Sequence, residues 1–378
     1  VTGLGALRGR EDAPRPVPRR DRVFDRGSNE HREAPPAVRP GPVYAALDLG
    51  TNNCRLLIAR QPAPGGDPAS FRILDSFCRI VRLGEGYART GRLSEAAMVR
   101  TIDAMKVCQE RMHARHVSRS RLIATEACRA AANGEEFLER AAEETGLRLE
   151  IVDRETEAFL ATAGCSGLAD PEAEGIVLFD IGGGSSEIVW LGRDAQPHRH
   201  DRREDGPLRQ RVRAWESMKV GVVTLAETFG GRVVTPETFD AMVAHVEAQL
   251  APFVARVAAE PRCERFHLLG TSGTVTTIAG VYLGLKRYDR RRVDGLWMPR
   301  EAIGQAIAGM RAMSFEERAL NGCIGPDRAD LVLAGCAIFE AIRRAFPCER
   351  VRIADRGLRE GMLMQMMASD RIWSRDGS

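Results

Sequence analysis

Lysine is nearly missing from this chain. Of 55 basic residues only Lys106, Lys219 and Lys286 are lysines, and the rest are arginine. A GC-rich coding sequence is the plain cause, but the chemical consequence stands. An anion bound here meets planar guanidinium forks rather than ammonium point charges. Net charge is also small, +3, and gives no case for a nucleic-acid partner. Paired cysteines are lacking as well. The nine thiols form no C-x-x-C and several lie inside apolar patterns, so neither a zinc centre nor a disulfide framework is expected, and a reducing cytosol suits them. No apolar run reaches the length of a membrane span and no signal-peptide pattern is visible. The expectation is a soluble, cytoplasmic protein with no membrane partner. The H-x-H at His198 and His200 stands in a charged segment and reads as surface chemistry rather than a metal site.

What is present suffices for a large core: 378 residues, 44% of them apolar and 28% charged, suggest two or more domains. Residues 1–42 are rich in Arg and Pro and are expected to be disordered. From Val43 the pattern becomes regular. Segments 43–47, 54–60 and 71–83 read as three strands in meander, the last two joined across the turn-rich 62–68. Ser94 opens a helix, 121–125 is a buried strand, and a helical region from Glu126 breaks near Asn133 and Gly134 and ends at Gly146. A strand at 147–152 and a helix at 155–163 complete this half. The plan then restarts. Strands at 176–181 and 186–191 are followed by a solvated loop at 193–213 and a third strand at 215–220. Helices open at Thr224 and at Thr235, which precedes Pro236. After a strand at 266–269, helices begin near Pro299 and at Ser314, where Glu317 completes a capping box. An apolar helix at 327–345, a strand at 350–354 and a Met-rich closing helix at 357–368 finish the chain. The expected fold class is α/β, with two ribonuclease-H-like domains around a central cleft, at 43–165 and 166–355. The closing helix, 356–370, could pack back on the first domain, and 371–378 is a tail.

Two stretches carry the chemistry. In the second half an apolar run ends at Asp180, followed by Gly182, Gly183, Gly184, Ser185, Ser186 and Glu187. In the first half Asp48 is followed by Gly50, Thr51, Asn52, Asn53, Cys54 and Arg55. Each reads as strand, tight turn, strand. Glycines let backbone N–H groups converge on an anion, and a carboxylate at the strand end can hold a cation, so each suits a phosphate with Mg²⁺. A polar hairpin would explain either one alone. Two hairpins sharing Asp-x-Gly, with a charge seven residues on, point to two halves facing across one phosphate site. Gly270, Thr271, Ser272 and Gly273, between a strand and a helix, form a third and weaker loop of this kind.

Further motifs make the pattern specific: Ala124-Thr125-Glu126-Ala127-Cys128-Arg129 running on to Asn133, Asp153-Arg154-Glu155-Thr156-Glu157-Ala158, and Asp355-Arg356-Gly357-Leu358-Arg359-Glu360-Gly361. With the three loops, in this order over about residues 43–370, the chain resembles the exopolyphosphatase and guanosine pentaphosphate phosphatase (Ppx/GppA) family of the actin, sugar-kinase and Hsp70 superfamily. The resemblance implies that Asp48 and Asp180 line a Mg²⁺ site. The backbones of 50–54 and 182–186 would hold phosphoryl oxygens, and Arg55 and Arg129 would neutralise them. Glu157 matches the family's catalytic glutamate and Glu187 a further active-site glutamate. One departure is visible: Phe159 stands where the family often has Arg. Without the resemblance, Glu157 reads as a surface helix carboxylate and Arg129 as a salt-bridge partner of Glu126 or Glu135.

The implied activity is a Mg²⁺-dependent phosphohydrolase that removes terminal phosphate from inorganic polyphosphate, guanosine pentaphosphate, or both. Two other readings stay open, an ATP-dependent kinase of the same superfamily and a non-catalytic sensor of alarmones or polyphosphate. A homodimer is compatible with the sequence but has no signature in it. The chain has no room after residue 370 for the extra helical domain that some members carry, so the short two-domain form is expected.

Overall fold

The computed structural model describes residues 41–61, 70–192, 206–261 and 263–376. The Arg- and Pro-rich segment before Gly41, the turn at 62–68 and the His198/His200 pair lie outside the described residues. All the elements below belong to one compact unit.

The first lobe holds β1 (Val43–Leu49), β2 (Asn53–Arg60), β3 (Arg72–Ile80), α1 (Tyr87–Thr90), α2 (Glu95–Ala114), β4 (Arg119–Ala124), α3 (Glu126–Ala130), α4 (Gly134–Thr145), β5 (Glu150–Ile151) and α5 (Arg154–Cys165). The second holds β6 (Gly175–Ile181), β7 (Ser186–Leu191), α6 (Gly206–Arg211), β8 (Val212–Met218), α7 (Val222–Phe229), α8 (Pro236–Ala258), β9 (Phe266–Thr271), α9 (Gly273–Tyr282), α10 (Arg290–Val293), β10 (Trp297–Pro299), α11 (Arg300–Ala312), α12 (Phe315–Leu320), α13 (Val332–Ala345) and β11 (Arg350–Ala354). The closing helix is α14 (Leu358–Asp376).

The sheets run β3-β2-β1-β4-β5 and β10-β11-β9-β6-β7-β8. In each, the first three strands are antiparallel and the later core strands join parallel to the first. The two ribonuclease-H-like plans read from the sequence are therefore both present, the second extended by the short edge strand β10, antiparallel to β11. Successive side chains of a strand leave on opposite faces, and both sheets use this to build cores on two sides. From β1, Val43, Ala45, Leu47 and Leu49 enter the core with α2 and α4. The alternate residues Tyr44 and Ala46 meet Leu358, Met362 and Met366 of α14. In the second lobe, Val177 and Phe179 face the main core, while Ile176 and Leu178 face Ala158 and Cys165 of α5.

The helix stops follow their local chemistry. Gly146 closes α4 with left-handed backbone, Thr235 caps α8 with Pro236 in its first turn, and Ser314 and Glu317 form their capping box. Several bounds differ from the sequence reading. Part of the expected loop before residue 213 is helix α6, and the third strand begins at Val212 rather than residue 215. As an edge strand, β8 tolerates Arg213 and Glu216, and those charges hide it. The helix expected from residue 327 starts at Val332, the closing helix runs on to Asp376, and only two residues of the 147–152 stretch pair in the ladder. The four-residue α1 and α10 and three-residue β10 are too short for any periodicity to reveal.

Two chain crossings join the lobes, α5 leaving the first and α14 returning to it. They pack backbone to backbone: a Cβ on Gly164 would lie 2.0 Å from Gly357 O, and one on Gly361 2.0 Å from Leu160 O. Across the cleft, Arg82 reaches from the first lobe to Asp330 of the second with two hydrogen bonds of 3.0 and 3.1 Å. Among the described residues no helix is long and apolar enough to cross a membrane.

Candidate active site

The two Asp-x-Gly hairpins meet at a cleft of about 900 Å³, counted to its open mouth. The seven-residue spacing in the sequence now has a structural meaning. It places Asp48 directly opposite Arg55 on the β1–β2 ladder and Asp180 directly opposite Glu187 on the β6–β7 ladder. Cross-strand partners share a sheet face, so each hairpin delivers a pair of charged groups to the same wall. The hairpins also touch. A Cβ on Gly184 would lie 2.7 Å from Thr51 Oγ1. None of Gly50, Gly182, Gly183 and Gly184 has positive φ. Gly182, Gly183 and Gly184 are required for close approach rather than for left-handed backbone, whereas a Cβ on Gly50 would meet nothing nearer than 3.7 Å.

Asp48, Gly50, Thr51, Asn52, Asn53 and Arg55 line the cleft from the first lobe. From the second come Asp180, Gly182, Gly183, Gly184, Ser185 and Glu187, with Ser272 and Gly273 at the start of α9. Ser272 has φ 134 and caps α9 by accepting from Thr274 and Val275 N–H at 3.1 and 3.2 Å. Such backbone costs about 1–3 kcal/mol and persists where its surroundings impose it. Glu157 enters from the first turn of α5, which Asp153 caps through the Thr156 N–H at 2.7 Å.

The electrostatics are those of crowded carboxylates. Burial raises Asp48 above the ordinary carboxylate range, with Arg55 opposing. Burial likewise carries Asp180 up to about 6, against Arg55 and with the help of Asp48. Glu187 is pushed up to about 7 by burial and by Asp180, although Ser217 Oγ donates to it at 2.8 Å. Burial and then Glu187 raise Glu157 well above its usual value, and Arg129 works against them. Among the described residues Asp48 and Asp180 accept no hydrogen bond, and Asn52 Oδ1 is buried without a partner.

Five residues expected at the site have their side chains, or the space a side chain would take, committed elsewhere. Cys54 turns away from the cleft, its Sγ 3.9 Å from that of Cys108 in the core. Ser186 Oγ donates to Val220 O at 2.7 Å and is buried. Gly270 makes room for the Phe179 ring, which a Cβ would approach to 2.5 Å. Thr271 Oγ1 donates to Arg356 O at 2.7 Å. Arg129 does not line the cleft. It donates to Glu157 Oε2 at 3.1 Å and to Glu126 Oε2 at 2.6 Å, so the salt bridge to Glu126 exists together with a hold on Glu157. Phe159 is buried and carries the Arg209 guanidinium 4.8 Å above its ring.

The sequence reading assigned no role to Arg328. It lies in the irregular stretch before α13, where no periodicity or motif marks it, and the fold alone brings it into the cleft. The side chains of Arg328 and Arg55 both come within 3.8 Å of where a Gly273 Cβ would be. Among the described residues neither has a carboxylate within ion-pair distance. Burial, with Arg55 alongside, holds Arg328 below the usual arginine value. The cleft continues past this pair into a second cavity, bordered by Tyr288, Arg290, Asp355, Arg356 and Arg359.

Two lobes of this topology closing on two facing loops, with carboxylates and free guanidinium groups between them, define a protein that handles phosphoryl groups. The chain belongs to the Ppx/GppA phosphatase family, whose model matches residues 61–370. It is 30% identical over 338 residues to a guanosine-5'-triphosphate,3'-diphosphate pyrophosphatase of Photobacterium profundum, a match covering 87% of this chain and 60% of that protein. It is 29% identical over 311 residues to exopolyphosphatase 2 of Mycobacterium tuberculosis, covering 79% and 89%. The chain therefore spans about 60% of the length of the first of these relatives. Among solved structures, the Ppx/GppA family member of Aquifex aeolicus superposes with a TM-score of 0.68 at 28% identity, over 87% of this chain and 98% of that one. An exopolyphosphatase from Cytophaga hutchinsonii shares the fold with a TM-score of 0.74 at 21% identity, over 86% and 98%.

Proposed function

We propose that this family hydrolase is a Mg²⁺-dependent exopolyphosphatase that releases terminal orthophosphate from inorganic polyphosphate, with Glu157 as the general base. One observation carries the substrate class. Arg55 and Arg328, neither with a carboxylate partner among the described residues, stand where the cleft passes into the second cavity, and Arg359 lies farther along. Successive guanidinium groups suit a chain of phosphates.

Asp48 and Asp180 fit a hard dication. They are half-buried, oxygen-only and without hydrogen-bond donors among the described residues, and no cage of three or more His, Cys, Asp or Glu surrounds them there. Mg²⁺ characteristically takes one or two carboxylates and completes its shell with water and substrate phosphate. Bound there, it would neutralise charge on the transferring phosphoryl group. The chain's own groups supply the rest. Arg55 and Arg328 hold the phosphates, the N-terminus of α9 lies beside them with the Gly273 N–H left over from the Ser272 cap, and Glu157 takes the proton of the attacking water. Arg129 donates to one Glu157 oxygen, Oε2. Its other oxygen is free to accept that proton, and the raised basicity of the buried carboxylate favours the transfer.

A second substrate, guanosine pentaphosphate, is favoured by Tyr288. The residue is 40% exposed beside the second cavity while its hydroxyl is held by Asp355, which offers an aromatic side chain to a base. The deciding experiment is phosphate release with Mg²⁺ from long-chain polyphosphate and from guanosine pentaphosphate, side by side. Release from polyphosphate without nucleotide supports the proposal. Release from guanosine pentaphosphate alone moves the assignment to that substrate. Binding of either without release would leave the sensor reading in its place.

A further inference from the structure

Glu126 is a carboxylate on the wall of a cleft built for anions, which is an unfavourable place for it unless it has work to do. It is 9% exposed, and its Cγ would lie 3.2 Å from a Cβ on Gly184. It makes no use of the cleft itself. Its Oε2 accepts from Arg129 Nη2 at 2.6 Å and Nε at 3.2 Å, and Arg154 Nη2 donates to both its oxygens at 3.0 and 3.1 Å. Arg129 is thereby spent on one edge. Only Nη1 faces the other way, donating to Val152 O at 2.7 Å and Glu157 Oε2 at 3.1 Å.

We propose that Glu126, held by Arg154, is a positioning residue that occupies the Arg129 fork so that Glu157 receives a single hydrogen bond and keeps one oxygen open for water. The inference rests on Glu157 being the base. Its logic is geometric. A guanidinium released from Glu126 would present two parallel N–H groups, and the nearest carboxylate able to take both is Glu157. A fork-to-fork pair is the strong form of this contact, and it would tie up both Glu157 oxygens. The alternative target, a substrate phosphate, would draw Arg129 away from Glu157 altogether. Either outcome slows the chemical step without weakening the grip of Arg55 and Arg328 on substrate. Arg154 serves at one remove, balancing the Glu126 charge so that a carboxylate is tolerated beside bound phosphate. Unlike Arg129, it makes no hydrogen bond to Glu157.

The test is a double-mutant cycle on phosphate release from long-chain polyphosphate with Mg²⁺, or from guanosine pentaphosphate if that is the substrate turned over. Glu126→Gln should lower kcat about tenfold and leave KM within about twofold. In an Arg129→Lys background the same change should cost nothing further, because lysine is a point charge with no fork to steer. Arg154→Gln, which leaves α3 untouched, should act in the same sense, about threefold, and should also fall silent beside Arg129→Lys. It keeps the test open should Glu126→Gln fail to fold. Equal losses in both backgrounds would show that Glu126 acts independently of Arg129 and would overturn the proposal. So would a rise in KM in place of the fall in kcat, or an unchanged kcat. Glu157→Gln is run beside them. If that variant keeps turning over, the base assignment fails; if it is dead while Glu126→Gln is fully active, only the positioning role fails.

Discussion

Replacing Glu157 by Gln preserves the shape of the side chain and removes the one property a base needs. The amide oxygen can still accept the 3.1 Å hydrogen bond from Arg129 Nη1, so α5 and its contacts should survive. A positioned general base contributes roughly 10²–10⁴ in rate, about 2.7–5.5 kcal/mol of barrier, and kcat should fall by that much with KM unchanged. Stability should move the other way. Burial and Glu187 raise Glu157 in the folded protein. A group raised on folding gives its full stabilisation below its unfolded value and loses it as pH rises through the folded one. In metal-free protein that stabilisation is lost as pH rises, so the buried carboxyl becomes a liability toward alkaline pH and Glu157→Gln should melt at a higher temperature than wild type at pH 8. The difference should shrink as pH falls through the free-glutamate value of about 4.3, because the wild-type carboxyl is then increasingly protonated in both states. Phosphate release and calorimetry on the same samples measure both effects. A kcat within threefold of wild type, or a lower melting temperature at pH 8 accompanying lost activity, would refute the reasoning.

Three further outcomes follow from the same geometry. Arg328→Ala should raise KM about tenfold or more with a smaller effect on kcat, as loss of a charge-assisted contact implies; steady-state kinetics on polyphosphate checks it, and an unchanged KM counts against the arginine pair. The acid limb of the pH–rate profile at saturating Mg²⁺ should lie above the ordinary carboxylate range, because Glu157 must lose its proton to act and its burial resists that loss. A limb at or below the free-glutamate value of about 4.3 would contradict the environment described for it. Met362→Ala, in the fully buried face of α14, should cost about 2–5 kcal/mol in denaturant unfolding, whereas a loss well under 1 kcal/mol would mean that the helix is not part of the first lobe's core.

The features that the sequence made legible are those written in local patterns. Alternating apolar residues and Gly-rich turns marked both hairpins, and the shared seven-residue spacing from Asp48 to Arg55 and from Asp180 to Glu187 was visible, although only the ladders show that it makes cross-strand pairs. Caps at Thr235 and Ser314 were readable because their partners lie within three residues. What stayed hidden depends on distant parts of the chain. Arg328 reaches Arg55 only through the docking of two lobes. Arg129, expected to neutralise phosphate, donates to Glu126 and Glu157, since whether a guanidinium meets phosphate or a neighbouring carboxylate is decided by those two residues together. Phe159, conspicuous as a departure from the family pattern, proved to be a seat for Arg209. The glycines of the second hairpin were recognised, but their reason was not: Gly183 and Gly184 admit Thr51 and Gly182 admits the Ser185 carbonyl, rather than bending the backbone.

The closing helix has a consequence for how the protein comes into being. One face of the first sheet, with Tyr44, Ala46, Leu57 and Ala59, is covered by Leu358, Met362, Leu363 and Met367. A ribosome adding about 5–20 residues per second finishes the strands of that sheet long before it makes their cover. Until α14 is made, the sheet carries an exposed apolar face, and the Gly164 crossing has no partner at Gly357 and Gly361. The second lobe, complete by Ala354, has its main core in hand first. The lobe made first is thus the lobe finished last, and between those two moments the nascent chain carries a β-sheet whose apolar face has Val152 and Leu160 of its own lobe, but not yet α14, to cover it.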